Sequence, residues 1–135
     1  MLIPGVTAFL GFQLVAVFNN AFSTKLTRDE QMLHVGAMFV TLVALLMLLT
    51  PAAYHRQAEP GWVSQGFADL SSRLITGATP LFALGITLDF YLLVRAVSED
   101  QPLALILASA IFAIAVVLWL VLPRFGPFER LLRGE

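Results

Sequence analysis

The sequence predicts an all-α, polytopic membrane protein with four transmembrane helices in an antiparallel bundle. Of its 135 residues, 59% are hydrophobic and only 13% are charged, and the mean hydropathy is +0.84. Soluble domains carry about 25% charged residues, so this composition fits a chain surrounded mostly by lipid. The whole chain, residues 1–135, is expected to form a single transmembrane domain.

The uncharged run at residues 35–53 is the clearest sign of a membrane crossing. A helix of that length rises about 1.5 Å per residue and spans roughly 28 Å, close to the ~30 Å hydrocarbon core of a bilayer. His34 precedes the run, and His55 and Arg56 follow it. Side chains of this kind bound a membrane helix because they reach water or the lipid headgroups.

The first predicted span covers residues 3–22 and is uncharged. Gln13 and Asn20 are seven residues apart and share one face of the helix, with Asn19 beside them. Amide side chains of this kind turn away from lipid and toward other helices. A secretion signal is the alternative interpretation, but no Lys or Arg precedes Lys25, so the usual positive start of such a signal is missing.

The second predicted helix covers residues 28–55. Thr27 is a good N-cap, and Glu30 stands at the capping-box position three residues later. At the far end, His55 and Arg56 are expected at the membrane interface, where they would face headgroup phosphates.

The third predicted helix, residues 61–97, begins with an amphipathic lead-in that either lies on the membrane surface or continues straight into the span. Trp62 and Arg73 are expected at the interface. The fourth predicted helix, residues 102–122, is apolar on nearly every side and is expected to face lipid. Residues 123–135 form an amphipathic tail that is expected to rest on the membrane surface.

Four crossings place both termini on the same side of the membrane. That side would carry five cations: Arg56, Arg73, Arg124, Arg130 and Arg133. The opposite side would carry three cations: Lys25, Arg28 and Arg95. The positive-inside rule therefore predicts that both termini are cytoplasmic.

Asp89 is the one charged residue in the apolar part of the third helix, residues 74–94. An ionisable group at membrane depth costs roughly 2.5–3.5 kcal/mol on insertion scales, so it is expected to face protein or water. We therefore predict a buried polar cluster around this carboxyl group. The side chains expected in it are Gln13, Asn19, Asn20 and His34, with Arg95 as an alternative to His34 at the outer end.

Three interpretations of this cluster stay open. It could form an ion or proton pathway, or a ligand pocket open to the outer side. It could instead be structural, with a carboxyl group that is held by amide donors, or protonated by desolvation, and joins helices one and three. Finally, Asp89 could lie shallow enough to reach headgroup water.

No motif in the sequence indicates an enzyme. There is no cysteine, no glycine-rich phosphate loop and no nucleophile–base arrangement. His34 and His55 lie roughly 30 Å apart on one helix and cannot share a metal within one chain. The net charge of −1 gives no basic surface for nucleic acid. We expect no catalytic residue, no metal and no cofactor.

Three short segments carry a resemblance to a known family. They are Pro4-Gly5, Gly11-Phe12 and the run Pro51-Ala52-Ala53-Tyr54-His55-Arg56. The chain resembles an uncharacterised bacterial family of small four-span integral membrane proteins, a domain of unknown function. The resemblance implies four membrane helices in a bacterial inner membrane, and it brings no activity.

The favoured functional hypothesis is a homo-oligomeric ion-channel or transporter-like protein with a polar path past Asp89. The alternative is a non-catalytic accessory or scaffold subunit of a larger membrane complex. A cofactor- or lipid-handling protein is a third hypothesis. The expected partners are membrane lipids, further copies of the chain and, under the alternative, other subunits of such a complex.

Overall fold

The computed structural model describes residues 2–58 and 61–124. All regular structure in this part of the chain is helical, which confirms the all-α class. Three stretches within it are long and apolar enough to cross a membrane: Arg28–Ala58, Gln65–Ser98 and Gln101–Arg124. These stretches support association with a membrane, whereas a bundle of four crossings stays a prediction.

The first predicted span is broken. It forms α1 (Leu2–Ala16) and a short α2 (Asn20–Lys25), separated by a turn. Asn19 adopts an extended backbone, and its side-chain oxygen accepts a hydrogen bond of 2.9 Å from the backbone N–H of Ala21. The prediction of one continuous helix over residues 3–22 is therefore wrong. An Asn side chain competes for backbone groups and favours an N-cap over a helix interior, so a new helix starts here.

The next helix, α3 (Arg28–Ala58), begins at the predicted residue and runs slightly past the predicted end at residue 55. Its start is a complete capping box. The backbone N–H of Glu30 donates to the Thr27 hydroxyl over 3.3 Å, and the Glu30 carboxylate accepts from the Thr27 N–H over 2.8 Å. The sequence signal for this helix start is thus confirmed.

The third predicted helix forms α4 (Gln65–Ser98), which begins later than the predicted residue 61. The Ser64 hydroxyl caps it by accepting a 3.0 Å hydrogen bond from the backbone N–H of Phe67. The lead-in is the first part of one continuous helix and not a separate surface helix. The helix ends where Glu99 adopts a left-handed conformation, with φ of 56°.

The last helix, α5 (Gln101–Val116), continues through a wider π-helical turn, Val117–Val121, and a 3-10 turn, Leu122–Arg124. The Asp100 carboxylate caps its start by accepting from the backbone N–H of Leu103 over 3.1 Å. Most of its side chains are exposed outside the bundle, as expected for a helix that faces lipid. The predicted interfacial tail lies largely outside the described residues.

The bundle is organised around the antiparallel contact of α3 with α4. The buried positions of α3 recur at intervals of three and four residues, the spacing of a helix–helix seam; they are His34, Ala37, Thr41, Ala44 and Leu48. Most of these residues are small, and the buried residues of α4 include the small residues Ala78, Ala83 and Gly85. Small residues let two helices approach closely. In lipid there is no hydrophobic driving force between helices, so this close packing is what holds them together. Val6 of α1 packs on this pair beside Ala44 and Ala78.

Candidate functional site

Three polar side chains from three helices meet inside the bundle. Gln13 of α1 donates from Nε2 to Oδ2 of Asp89 on α4, over 2.6 Å. His34 of α3 places Nδ1 at 2.9 Å from Oδ1 of the same carboxyl group. Both oxygens of Asp89 are therefore bonded within one chain, and we refer to Gln13, His34 and Asp89 as the polar triad.

The second ring nitrogen of His34 determines how many protons the triad holds. Its Nε2 lies 2.9 Å from the backbone carbonyl oxygen of Gln13, which can only accept, so Nε2 carries a hydrogen. The bond between Nδ1 and the Asp89 oxygen then needs a single proton. That proton sits on the imidazole or on the carboxyl group, and the pair is neutral in both cases. Its loss leaves a net charge of −1.

The polar triad lies at the wall of a cavity of about 430 Å³ bounded by α1, α2, α3 and α4. The side chain of His34 is 6% exposed and that of Asp89 is 16% exposed, so the carboxyl group is the more accessible partner. Apart from Asn19, the rest of the wall is apolar and rich in aromatic rings, which are Phe9, Phe12, Phe22 and Phe90. The site is therefore the His34–Asp89 pair in the wall of a largely apolar pocket.

One buried acceptor in the polar triad has no partner among the described residues. Gln13 is 3% exposed, and its Nε2 contacts both Asp89 and, at 3.3 Å, the hydroxyl of Thr41. Its Oε1 atom is buried and makes no hydrogen bond there. A buried polar group left in this state costs about 1–3 kcal/mol, so the site contains one unsatisfied acceptor.

The short helix α2 and two ion pairs close the outer end of the site. The ring of Phe22 lies edge-on to the ring of His34 at a centroid distance of 5.1 Å. Lys25, at the end of α2, pairs with Glu99 at the end of α4. Arg95 of α4 pairs with Glu30 of α3 through a 3.0 Å contact. These pairs attach α2 and the start of α3 to the end of α4.

The Lys25–Glu99 pair should make the attachment of α2 sensitive to acid. Its hydrogen bond lowers the pKa of Glu99 from the ordinary value, so the pair stabilises the folded state above that value and is lost as the pH falls through the lowered one. Amide-exchange protection of α2 should therefore fall in acid. Glu99→Gln should show the low protection already at neutral pH, and equal protection in both proteins would contradict this expectation.

The structure brings together only part of the predicted cluster. Asn20 is exposed, and its backbone carbonyl accepts hydrogen bonds from two hydroxyls of α2. Because the turn before α2 changes the direction of the chain, Asn20 leaves the face it would share with Gln13 on a continuous helix. Asn19 lines the cavity, but its side-chain oxygen is engaged as the α2 cap. Arg95 pairs with Glu30 and does not contact Asp89.

Comparison with known proteins places the chain in a family. Residues 1–123 match a family of unknown function, DUF6328. The chain belongs to DUF6328. This confirms that it comes from an uncharacterised family, while the bacterial source and the four spans stay predictions. No curated protein and no solved structure matches the DUF6328 chain.

At the other end of the helix bundle of the DUF6328 chain lie the residues predicted at the membrane interface. Trp62, Arg56 and Arg73 are exposed. His55 is half-buried, with its ring 5.2 Å from that of Phe67. Arg56 and Trp62 lie near helix ends and Arg73 lies within α4; their place at a membrane interface stays a prediction.

Sequence reasoning about the DUF6328 chain missed Thr41, a buried neighbour of the polar triad. Thr41 is fully buried, and its hydroxyl donates to the carbonyl of Ala37 over 2.9 Å while it contacts Gln13. The signal was present, because Thr41 lies seven residues after His34 and therefore on the same helix face. Gly85 permits the close approach, since a Cβ atom there would overlap the Thr41 hydroxyl. Among the described residues, no group of His, Cys, Asp and Glu side chains could hold a metal.

Proposed function

We propose that the protein is a small, multi-pass, transporter-like membrane protein whose working site is the polar triad. In this proposal, His34 and Asp89 take up and release their shared proton as a small molecule enters and leaves the cavity. The observation that carries the proposal is the position of this single-proton pair at the wall of an apolar cavity of about 430 Å³. The cavity is within the size range of ligand pockets, about 300–1,000 Å³, and like them it is mostly apolar with a few polar groups.

A transporter fits the contacts better than an open pore. Both oxygens of Asp89 are bonded within one chain, and Asn20 does not join Gln13 in lining a path. A group held in this way responds by exchanging partners, as a carrier requires, and would obstruct continuous conduction. We therefore narrow the original channel-or-transporter hypothesis to proton-linked transport.

The membrane arrangement belongs to the same proposal. Here α1, the turn and α2 together make the first of four crossings in a bacterial inner membrane, and both termini are cytoplasmic. The distribution of Lys and Arg residues supports this orientation. The chain has no cysteine, so single cysteines introduced near residues 26, 60 and 100 can be labelled with an impermeant maleimide in intact cells. Labelling near residues 26 and 100, but not near 60, is the expected result.

An accessory or scaffold subunit is the second candidate. The polar triad joins α1, α3 and α4, so the same contacts would also serve a purely structural role. Under that hypothesis, isosteric removal of the charge would change stability without affecting any flux. Homo-oligomers belong to the transport proposal, whereas a stoichiometric foreign partner in mild detergent would favour the subunit.

Proton-linked flux in proteoliposomes is the test. The purified chain is reconstituted with a pH-sensitive dye inside, and cationic, neutral and anionic aromatic compounds are added in turn. At least one compound class should move protons, and Asp89→Asn should reduce that signal to background. Asp69→Asn, a change at an exposed position of α4, is the matched control and should retain the signal. If no compound class exceeds the Asp89→Asn background, the proposal fails.

A further inference from the structure

We infer that the cavity binds organic monocations with an apolar, aromatic body, and that the bound cation displaces the proton shared by His34 and Asp89. This inference names the ligand class for the proposed transporter and rests on that proposal. It follows from the charge of the polar triad, the chemistry of the cavity wall and the unpartnered oxygen of Gln13.

The charge of the site sets the sign of the ligand. With its shared proton, the His34–Asp89 pair is neutral, and without that proton it carries −1 in a pocket with apolar walls. An isolated charge in such surroundings is strongly unfavourable unless it is paired. A monovalent cation restores neutrality, so the exchange balances: the protonated site and one cation give the occupied site and one free proton. An anion would add to the charge and cannot exchange in this way.

The wall of the cavity sets the shape of the ligand. Phe9, Phe12, Phe22 and Phe90 provide aromatic surface around the acid. Aromatic faces attract cations, most strongly where water is excluded. A compact inorganic ion would have to give up its water for only one carboxylate and one amide oxygen. A cation whose charge is spread over an apolar body loses little hydration and fills the volume.

Gln13 supplies an independent sign of a ligand. Its Oε1 atom is buried beside the carboxyl group and has no partner among the described residues. The oxygen itself is covered, but its carbonyl dipole adds to the negative potential around an ionised Asp89. The carboxylate and this dipole together favour a positive ligand over an anion.

The other charged groups nearby are paired with one another or do not line the cavity, so we assign the exchange to the polar triad. Glu30 of α3 pairs with Arg95 of α4, and Lys25 of α2 pairs with Glu99. Neither α1 nor α5 contains a charged residue within the ranges given above. The remaining titratable groups of α3 and α4 near this end are Arg28, Asp29 and Tyr91, and none of them lines the cavity.

A second cavity provides an internal comparison. It has a volume of about 340 Å³ and is lined by apolar residues and one threonine, with no charged residue. The ring of Trp119 lies parallel to that of Phe82 there, with centroids 6.4 Å apart. This pocket suits a neutral apolar molecule or a lipid chain. A variant at Trp119 therefore reports on binding to this second cavity, where no charged residue selects the ligand.

Tetraphenylphosphonium and tetraphenylborate, which share a shape and differ in charge, provide the test. The full-length chain in mild detergent is titrated with each by calorimetry, and proton release is followed in weak buffer. We expect the cation to bind with release of one proton per chain, and its apparent Kd to weaken about tenfold per pH unit on the acid side. The borate should not bind at the polar triad. Asp89→Asn should abolish proton release, and Trp119→Leu should leave it unchanged.

The outcomes separate this inference from the proposed function. Binding of the cation without proton release, or at a Kd independent of pH, would overturn the inference; because that measurement uses the unaltered protein, it does not depend on the folding of a variant. Cation binding with proton release but no flux in proteoliposomes would support the site and contradict transport. Flux of neutral compounds without cation binding would support transport and overturn the ligand class.

Discussion

Asp89→Ala should lower the free energy of unfolding by about 3–5 kcal/mol, the usual cost of removing one partner of a buried charged pair. The substitution leaves the amide of Gln13 and Nδ1 of His34 without their present partner in the interior of the bundle. These bonds connect α1, α3 and α4, so the loss affects the packing of three helices. Unfolding in mixed micelles with increasing denaturing detergent measures the change.

Two further variants make this expectation specific. Asp69→Ala, at an exposed position of α4, should change stability by less than about 0.5 kcal/mol. Asp89→Asn should cost much less than Asp89→Ala, because the amide still occupies the space and can bond to His34. Equal losses for Asp69→Ala and Asp89→Ala would show that the polar triad makes no special contribution to stability.

Gly85→Ala should destabilise the α3–α4 contact by about 1–3 kcal/mol, the usual range for overpacking. The added Cβ atom would overlap the hydroxyl of Thr41. Thr41 could relieve the overlap only by turning, which would give up its 2.9 Å bond to the carbonyl of Ala37 and its contact with Gln13. The change therefore also disturbs the polar triad. Unfolding in mixed micelles measures the loss.

A compensating substitution tests the cause. Thr41→Ala removes the hydroxyl and leaves its Cβ at an ordinary 3.6 Å from the new methyl group, so the double variant should recover part of the loss caused by Gly85→Ala alone. Gly77→Ala is the matched control, because its new atom meets, at 2.8 Å, the flexible end of Met47. Additive losses at positions 41 and 85 would contradict the proposed overlap.

Much of the helical organisation could be predicted because it depends on local and compositional signals. Long apolar runs predict the three helices that could cross a membrane, and the Thr27–Glu30 capping box predicts where α3 begins. The break in the first span was missed because Asn19 can either sit in a helix or cap a new one. Which of these it does depends on the packing of α2 against His34 and the end of α4.

The candidate site could be predicted in part for a similar reason. The cost of an isolated carboxyl group in lipid pointed to Asp89, and the shared face of the first span pointed to Gln13. Whether His34 or Arg95 completes the site depends on the rotation of α3 against α4, which no local pattern specifies. In the structure Glu30 pairs with Arg95, and it is His34 that bonds to the carboxyl group of Asp89. The cavity arises between four helices and has no sequence signature.

Nitrogen-15 NMR of His34 in lipid bilayers tests the central claim, that His34 and Asp89 share one proton, most directly. The chain contains only two histidines, so a His55→Asn background isolates the signals of His34. We expect Nε2 to stay protonated over the whole pH range, and Nδ1 to show one titration which Asp89→Asn shifts or removes. A His34 ring with Nε2 unprotonated, or a titration that is identical in Asp89→Asn, would contradict the account.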